Sequence, residues 1–514
     1  MTHHTRRGFF ADVGRGMLLA SVGSAVATDL GLAPAWAEEA AGSLTFGKLE
    51  PLVALMEETS IDKLQPLLVD RLQSGKSDLA TLVAAASLAN ARKFGGEDYV
   101  GFHTLMALAP AYQMTKDLPT ERKPLPVLKV LFRNTDHIQK NGGRKGEVLR
   151  PVDPAKLPSG RVGGELLRAA TRGADMKKAE QIFAALAKGK PIDAYNHLQF
   201  IVQDNADVHR VVLAHRAWSL LDLVGAEQAH TMLRESVRYC VKSEQQRIKS
   251  KRPVPGIRSL LPKLLEENRL LDKPLGKRKA DDDWLAKMVH TIYNSSKAQA
   301  AEAVAEALAE GFSPEVIGEA ISLAANELEL RDRNARVHGA SSGVHGSDSA
   351  NAWRNIARVS NPRNTAASII VGAYHISGAG KLNKAPYPLA DHLAAIETKD
   401  PKALLREAEA AIRSNDQGRA TAAIHTYGKL GHAAKPVFDL MLRYALSEDG
   451  RLHGEKYYVT VREEFATTRP AFRWNHLVGL ARATASGFGY SVTDKPGVRA
   501  PGYEEACRLL KVKG

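Results

Sequence analysis

Two stretches of the chain, "LQSGKSDLATLVAAASLAN" (residues 72–90) and "LAEGFSPEVIGEAISLAAN" (residues 308–326), follow the same plan. In each stretch, a first helical pattern ends at a glycine, Gly75 or Gly311. Glycine tolerates the left-handed backbone conformation with which helices commonly end. Each then continues into a second helical pattern that ends in "SLAN" or "SLAAN". The shared plan predicts an all-α chain with an internal duplication.

Helical periodicity supports that class along the rest of the chain. Asp78 and Ser313 are good N-caps for the second helix of each stretch. Segments such as "VVLAHRAWSLLDLV" and "PVFDLMLRYAL" place apolar residues at i, i+3, i+4 and i+7. The only β-leaning segment is "YYVTV" (residues 457–461), and aromatic residues make up only 6% of the chain. The sequence therefore predicts two similar helical bundles packed together.

The predicted organisation has four parts. Residues 1–37 are an export signal, residues 38–250 the first helical half, residues 251–285 a basic linker and residues 286–514 the second half. The linker carries the basic, proline-bearing run "KSKRPVP", which is typical of a connection between packed units.

The N-terminus resembles a twin-arginine signal peptide. Arg6 and Arg7 precede "GFF", a modestly apolar stretch follows from Met17, and "AWA" at residues 35–37 supplies a small-x-small cleavage site. The resemblance implies export of a folded protein by the Tat translocase into the periplasm, often with a cofactor already inserted. A run of about 18 apolar residues, which a membrane-spanning helix needs, is absent from the sequence, so no integral membrane segment is expected in the mature chain.

Composition and missing motifs exclude several classes of protein. The net charge of +14 is spread along the chain and favours a solvated surface, so no nucleic-acid partner is expected. Cys240 and Cys507 are the only cysteines, too few for a disulfide framework or a cysteine zinc site, and whether they pair is left open. The chain also lacks the H-E-x-x-H, C-x-x-C-H, G-x-x-x-x-G-K-[ST] and G-x-S-x-G motifs.

Histidines recur in both halves and are the candidate metal or cofactor ligands. The pairs are His103 with His345, His137 with His375, His209 with His432, and His230 with His453. His209 and His230 are 21 residues apart in the first half, and His432 and His453 are 21 residues apart in the second. An iron, copper or zinc site needs three or four such nitrogens at about 2 Å from the ion. Retention of core residues through duplication would explain the same pairs without any metal.

Candidate substrate residues lie beside these histidines. The segment "ARVHGASSGVHGSDSANAW" contains a Gly/Ser-rich stretch, predicted as a loop, that carries His338 and leads to Asp348. Arg133 and Arg363 each lie beside an Asn-Thr pair in the helix leading to a paired histidine, where they could hold a carboxylate or phosphate of a small-molecule substrate. Capping and ion-pairing roles remain the alternative for both arginines.

The segment "LVAAASLANARKFGGEDYVGFHTLMALA" (residues 82–109) resembles the core helix pair of the AhpD-like/carboxymuconolactone decarboxylase superfamily. That core carries E-x-x-C-x-x-x-H, in which the cysteines are redox nucleophiles. His103 matches its histidine, and Tyr99 stands where its last cysteine would be. The cysteines are missing, so the peroxidase chemistry of that superfamily does not carry over to this chain.

Two functions from different classes follow. One is an exported oxidoreductase-type enzyme with a metal or other cofactor held by histidines of both halves. The other is a non-catalytic periplasmic binding or scaffold protein, in which the paired histidines belong to the core. They differ in one structural property, because only the first requires the paired histidines to converge within about 5 Å of a common centre.

Overall fold

The computed structural model describes residues 42–272, 274–332, 341–378, 384–490 and 502–513. The regular elements of this part of the chain are helices, with no β-strand among the described residues, and Arg278 and Phe312 form an isolated β-bridge. The all-α prediction is confirmed. The export signal predicted at residues 1–37 lies outside the described residues.

The helices of the first part of the chain are α1 (Glu50–Glu58), α2 (Ile61–Gln73), α3 (Leu79–Phe94), α4 (Tyr99–Met114), α5 (Pro124–Lys140), α6 (Gly163–Arg172), α7 (Met176–Leu186), α8 (Pro191–Val202), α9 (Val208–Ser219), α10 (Leu221–Val224) and α11 (Ala229–Lys249).

Those of the second part are α12 (Ile257–Glu267), α13 (Asp282–Asn294), α14 (Lys297–Ala309), α15 (Pro314–Arg331), α16 (Ser342–Val359), α17 (Pro362–Ile376), α18 (Ala390–Ala394), α19 (Pro401–Arg413), α20 (Gln417–Lys429), α21 (Lys435–Leu446), α22 (His453–Thr467), α23 (Trp474–Gly487) and α24 (Gly502–Leu510). None of the helices described here is both long and apolar enough to span a membrane.

The predicted helix boundaries at the two repeated stretches are confirmed. Asp78 caps α3 by accepting a hydrogen bond from the Thr81 amide at 2.7 Å, and the Ser313 side chain caps α15. Gly75 and Gly311 both have positive φ, +72° and +91°. A side chain at either position would be strained, which explains why glycine ends both preceding helices.

The Gly/Ser-rich segment is a helix from Ser342 onward, where the sequence predicted a loop. Its small residues serve helix packing, because a Cβ on Gly343 would collide with the backbone of Glu329 in α15. The two helices therefore approach more closely than larger residues would allow. His338 lies outside the described residues.

The β-leaning segment at residues 457–461 is also helical and lies inside α22. Tyr457, Tyr458, Val459, Thr460 and Val461 are all buried there. Tertiary packing on several sides overrides their weak intrinsic preference for a strand.

Four helices form a central ring that joins the two parts of the chain. Each packs against two others, α4 with α9, α9 with α16, α16 with α22, and α22 with α4. Helices α4 and α9 precede residue 250, whereas α16 and α22 follow residue 285. The predicted halves are therefore interlocked, and the buried apolar residues form one continuous core.

The predicted linker and the C-terminus add to this interlocking. Helix α12 lies within residues 251–285 and packs against α14 and α17. Helix α24 returns to the first part of the chain and packs against α5 and α2. Cys240 and Cys507 are both buried free thiols, so they do not form the disulfide that the sequence left open.

Candidate metal centre

Four histidines converge at one end of the central ring, one from each helix. They are His103 of α4, His209 of α9, His345 of α16 and His453 of α22. Ring centroids are 4.8 Å apart for His103 and His209, 6.2 Å for His209 and His345, 5.4 Å for His345 and His453, and 5.6 Å for His453 and His103. Each histidine ring therefore neighbours two of the others, so the four rings form a closed circuit. We call these four residues the histidine layer.

Every member of the histidine layer lies in the first five residues of its helix. His453 is the first residue of α22, His209 the second of α9, His345 the fourth of α16 and His103 the fifth of α4. Four helix N-termini, each with a partial positive charge, therefore meet at this point. The side chains of Asp98, Asp207 and Ser341 cap three of the helices, and the two aspartates offset part of that charge.

The tautomer of His103 is fixed by its backbone contact. Its Nδ1 lies 2.6 Å from the carbonyl oxygen of Tyr99, an atom that can only accept, so Nδ1 carries the proton and donates. The Nε2 of His103 therefore presents a lone pair. That atom is buried and has no hydrogen-bond partner in the described part of the chain.

His209 also carries an unpartnered Nε2 in the described part of the chain, but its Nδ1 makes no hydrogen bond as short as that of His103. Its Nδ1 lies 3.8 Å from Oδ1 of Asp207, whereas its Nε2 is buried and has no hydrogen-bond partner among the described residues. The hydroxyl of Tyr239 donates to Oδ2 of the same aspartate at 3.0 Å, which helps to hold the carboxylate in place. A carboxylate behind an imidazole is a frequent arrangement for histidines that ligate metals.

The other two imidazoles approach each other nitrogen to nitrogen. Nε2 of His345 lies 3.4 Å from Nε2 of His453. Two imidazole nitrogens bound to one tetrahedral ion at about 2.0–2.1 Å lie roughly 3.4 Å apart, with ring centroids roughly 5 Å apart. The separation suits a shared ion as well as it suits a direct hydrogen bond.

Burial keeps the imidazoles of His103 and His209 neutral. Burial, together with the nearby charge of Lys456, lowers the pKa of His103 to about 2. Burial also lowers the pKa of His209, partly opposed by Asp207. Metal ligation requires the neutral form, so both rings are in the right protonation state at neutral pH.

Charged residues lie deeper in the ring, below the histidine layer. Asp348 is one turn below His345, and Lys456 is one turn below His453. Thr460 donates a hydrogen bond to Asp348 at 2.8 Å. Arg216 lies two turns below the histidine of α9 and influences the pKa of both Asp348 and Lys456, so the three charged groups are neighbours.

The aromatic residues Tyr99 and Phe102 close one side of the histidine layer. The Phe102 ring stacks on His103 at 4.9 Å, and the Tyr99 ring lies 4.3 Å from it. Tyr99 is 64% exposed, so this side of the layer is bounded by a residue that contacts solvent.

The remaining histidine candidates lie outside the layer. His137 contacts Asp98 at 2.7 Å, and His375 accepts a hydrogen bond from Trp353 at 3.2 Å. His230 stacks on Phe183 and His432 packs on Tyr427. The 21-residue spacing paired His209 with His432, but the structure brings His209 together with His453.

The substrate candidates are also dispersed. Arg133 forms an ion pair with Glu448 at 2.6 Å. Arg363 donates to Gln203 at 2.7 Å and lies over the ring of Phe200. Of the candidates that can be placed, only Asp348 lies beside the histidine layer.

Sequence reasoning missed Lys456, Arg216 and Tyr239. Each is an isolated residue in an ordinary amphipathic helix, with no local motif around it. The spacing of Lys456 three residues after His453 was the one available signal, since it places both on the same helix face.

In the described ranges, no group of three or more His, Cys, Asp or Glu side chains is positioned to hold a metal ion as it stands. The 6.2 Å between the rings of His209 and His345 exceeds the separation for two ligands of one tetrahedral ion by roughly 1 Å. The remaining measured separations, 4.8, 5.4 and 5.6 Å, lie near the roughly 5 Å required.

A cavity of about 500 Å³ lies elsewhere in the molecule, lined among others by His290, Tyr293, Glu327 and Arg331. None of the predicted ligands lines it, so it does not belong to the histidine layer.

Comparison with known proteins adds no class assignment, because no protein family, curated protein or solved structure matches this chain.

Proposed function

We propose that this chain is an exported, metal-binding protein of oxidoreductase type whose centre is the histidine layer. The observation that carries the proposal is the convergence of four imidazoles from four separate helices, two of which present buried Nε2 atoms with no partner among the described residues. Iron, copper and zinc are the metals that imidazole ligands suit.

Convergence of the imidazoles, and not the unpartnered nitrogens alone, separates this proposal from simple core packing, because His215, His230 and His432 also carry buried Nε2 atoms without a partner among the described residues. A buried polar atom without a hydrogen bond costs about 1–3 kcal/mol, and both His103 and His209 carry one. Residues retained only for packing would gain from replacement by apolar side chains of similar shape. A metal ion would satisfy both lone pairs at once.

A small closure of the layer completes the site. The pair His345 and His453 already has the nitrogen separation of two ligands of one ion. His209 and His345 must approach by roughly 1 Å, which rotation of an imidazole about its side-chain torsions can supply. The ion then draws one ligand from each helix of the central ring.

The oxidoreductase class rests on the ligand set and on the predicted export signal. Nitrogen ligands without a thiolate suit both states of iron or copper. The residues Tyr99 and Phe102 cover one side of the layer, and Tyr99 is itself exposed to solvent. Twin-arginine export, expected from residues 1–37, is the route of many proteins that receive a cofactor before export.

Metal analysis of variants tests the proposal. The full chain is purified from the exported fraction, and iron, copper and zinc are measured by ICP-MS with a visible spectrum before and after dithionite. We expect close to one metal ion per chain in the wild type and less than about half of that in His103→Gln and His345→Gln. The control His432→Gln removes a histidine outside the layer and should keep the metal.

Circular dichroism establishes that each variant is folded. A folded wild type without metal would refute the proposal and favour the non-catalytic binding or scaffold protein. Equal metal content in all variants would place the metal elsewhere. A metal that neither absorbs visible light nor responds to dithionite would refute the redox role alone.

A further inference from the structure

The cavity of about 500 Å³ lies outside the histidine layer and is lined by residues of α13 and α15, by Lys384 before α18 and by the chain that enters α23. Its lining residues recur at helical spacing in both α13 and α15, so each helix presents one face to the cavity. Small-molecule sites commonly have volumes of roughly 300–1,000 Å³. The cavity therefore has the size of a ligand site.

Aromatic and aliphatic side chains form the apolar part of the cavity. They are Val289, Tyr293, Leu323 and Phe472. All four are buried or half-buried, so the cavity offers a ligand an apolar surface that is partly removed from water. A planar aromatic ring suits this surface, because two of the four side chains are themselves aromatic.

Arg331 is held in a fixed position at the cavity. Its Nε donates to Oε2 of Glu327 at 2.9 Å, and its Nη1 donates to the carbonyl oxygen of Lys384. Its guanidinium carbon lies 5.2 Å from the centre of the Tyr293 ring. Nη2 of Arg331 has no hydrogen-bond partner in the described part of the chain. The guanidinium is thus oriented before any ligand binds and keeps a donor for one.

The other polar groups of the cavity also favour an anionic ligand. Lys384 is exposed, and no described carboxylate pairs with its ammonium group. Nδ1 of His290 accepts a hydrogen bond from the side-chain amide of Asn294 at 2.9 Å, so its Nε2 carries the proton and can donate. Glu327 is the one carboxylate among the described lining residues, and its charge is matched by that of Arg331. The lining therefore retains one uncompensated positive charge, that of Lys384.

We propose that this cavity binds a small aromatic carboxylate. The ring packs against Leu323 and Phe472, and the carboxylate accepts hydrogen bonds from Arg331 and Lys384. A monoanion balances the single uncompensated cation, which favours a carboxylate over a doubly charged phosphate. The site shares no residue with the histidine layer, so the proposal is independent of the metal centre.

Isothermal titration calorimetry of the purified full chain with 2-naphthoate tests the proposal. Two analogues separate the recognised groups, since 2-naphthamide keeps the rings without the charge and acetate keeps the carboxylate without the rings. We expect 2-naphthoate to bind at least about 10-fold more tightly than either analogue, because hydrogen bonds to a charged group are stronger than those to a neutral one and the rings bury apolar surface.

Variants of the lining place the ligand in the cavity. Arg331→Met removes the oriented guanidinium and should weaken binding of 2-naphthoate about 10-fold or more. Lys384→Met removes an exposed charge and should weaken it about 2- to 5-fold. Glu327→Gln removes the carboxylate that competes for Arg331, so its affinity should equal or exceed that of the wild type. The control Lys435→Met, whose side chain is 79% exposed and lines no part of the cavity, should bind as the wild type does.

Circular dichroism establishes folding, and Lys384→Met decides the question if Arg331→Met does not fold, because an exposed side chain contributes little to stability. A folded wild type that binds 2-naphthoate no more tightly than 2-naphthamide overturns the proposal. Unchanged affinity in the folded lining variants overturns it as well, because the acid would then bind elsewhere on the chain. The metal content of the histidine layer is measured separately, so either failure leaves the proposed function standing.

Discussion

Removal of the buried ion pair between α5 and α22 should measurably destabilise the chain. Lys129 and Glu455 are both fully buried, with Nζ 2.7 Å from Oε1. Nζ also donates to the carbonyl oxygens of Ala445 at 3.1 Å and Ser447 at 2.7 Å. Lys129→Met preserves the length of the side chain but leaves the carboxyl group without its cation and two carbonyls without their donor. Breaking such a pair costs about 3–5 kcal/mol.

The size of the thermal shift follows from the size of the protein. Unfolding entropy of about 2.1 cal/mol/K per residue over roughly 450 described residues amounts to about 1 kcal/mol/K. Lys129→Met should therefore lower Tm by about 3–5 °C in differential scanning calorimetry. The double variant Lys129→Met/Glu455→Leu removes both charges and should recover at least half of the loss.

Two results would refute this reasoning. One is a Tm of Lys129→Met within about 1 °C of the wild-type Tm, since the expected decrease is several times larger. The other is a double variant less stable than Lys129→Met, because the cost would then lie in packing and not in the unpaired charge. The control Lys435→Met, on the surface of α21, should leave Tm unchanged.

Three further perturbations have directions fixed by the structure. Burial alone would raise the pKa of Glu244, but hydrogen bonds led by that from Arg258 lower it to about 2. The stabilisation that the ionised Glu244 contributes to folding is present above about pH 4.5 and is lost as the pH falls toward 2. The free energy of unfolding of Glu244→Gln should therefore fall less than that of the wild type between those pH values in acid unfolding. Gly343→Ala places a methyl group against the backbone of α15 and should cost about 1–3 kcal/mol in urea unfolding; an unchanged midpoint would contradict the tight packing. Asp207→Asn weakens the support behind His209 and should reduce metal affinity about 10- to 100-fold by competition with a chelator, whereas unchanged affinity would exclude that support.

Local signals in the sequence predicted local structure well. The N-caps Asp78 and Ser313 and the glycine stops before them depend on a few neighbouring residues, and the structure has them as predicted. The segments at residues 342–353 and 457–461 were misjudged because their composition favours a loop or a strand in isolation. Close packing against neighbouring helices decides both in the folded chain.

The candidate site could be predicted only in part. His103 and His345 were found because similar segments, ending in "SLAN" and "SLAAN", precede them. His453 was found but matched to the wrong partner, since equal spacing along the chain carries no information about which helices pack together. Lys456 and Arg216 could not be found, because the burial of a charged side chain is a property of the tertiary environment and not of the local sequence.

Metal-edge X-ray absorption on the purified, exported protein is the most direct measurement of the metal centre. We predict three or four imidazole nitrogens at about 2.0–2.1 Å from a single ion. The number of imidazoles should fall by one in His103→Gln and stay unchanged in His432→Gln. A first shell of oxygen ligands only, or an imidazole count that does not respond to His103→Gln, would contradict a metal held by the histidine layer.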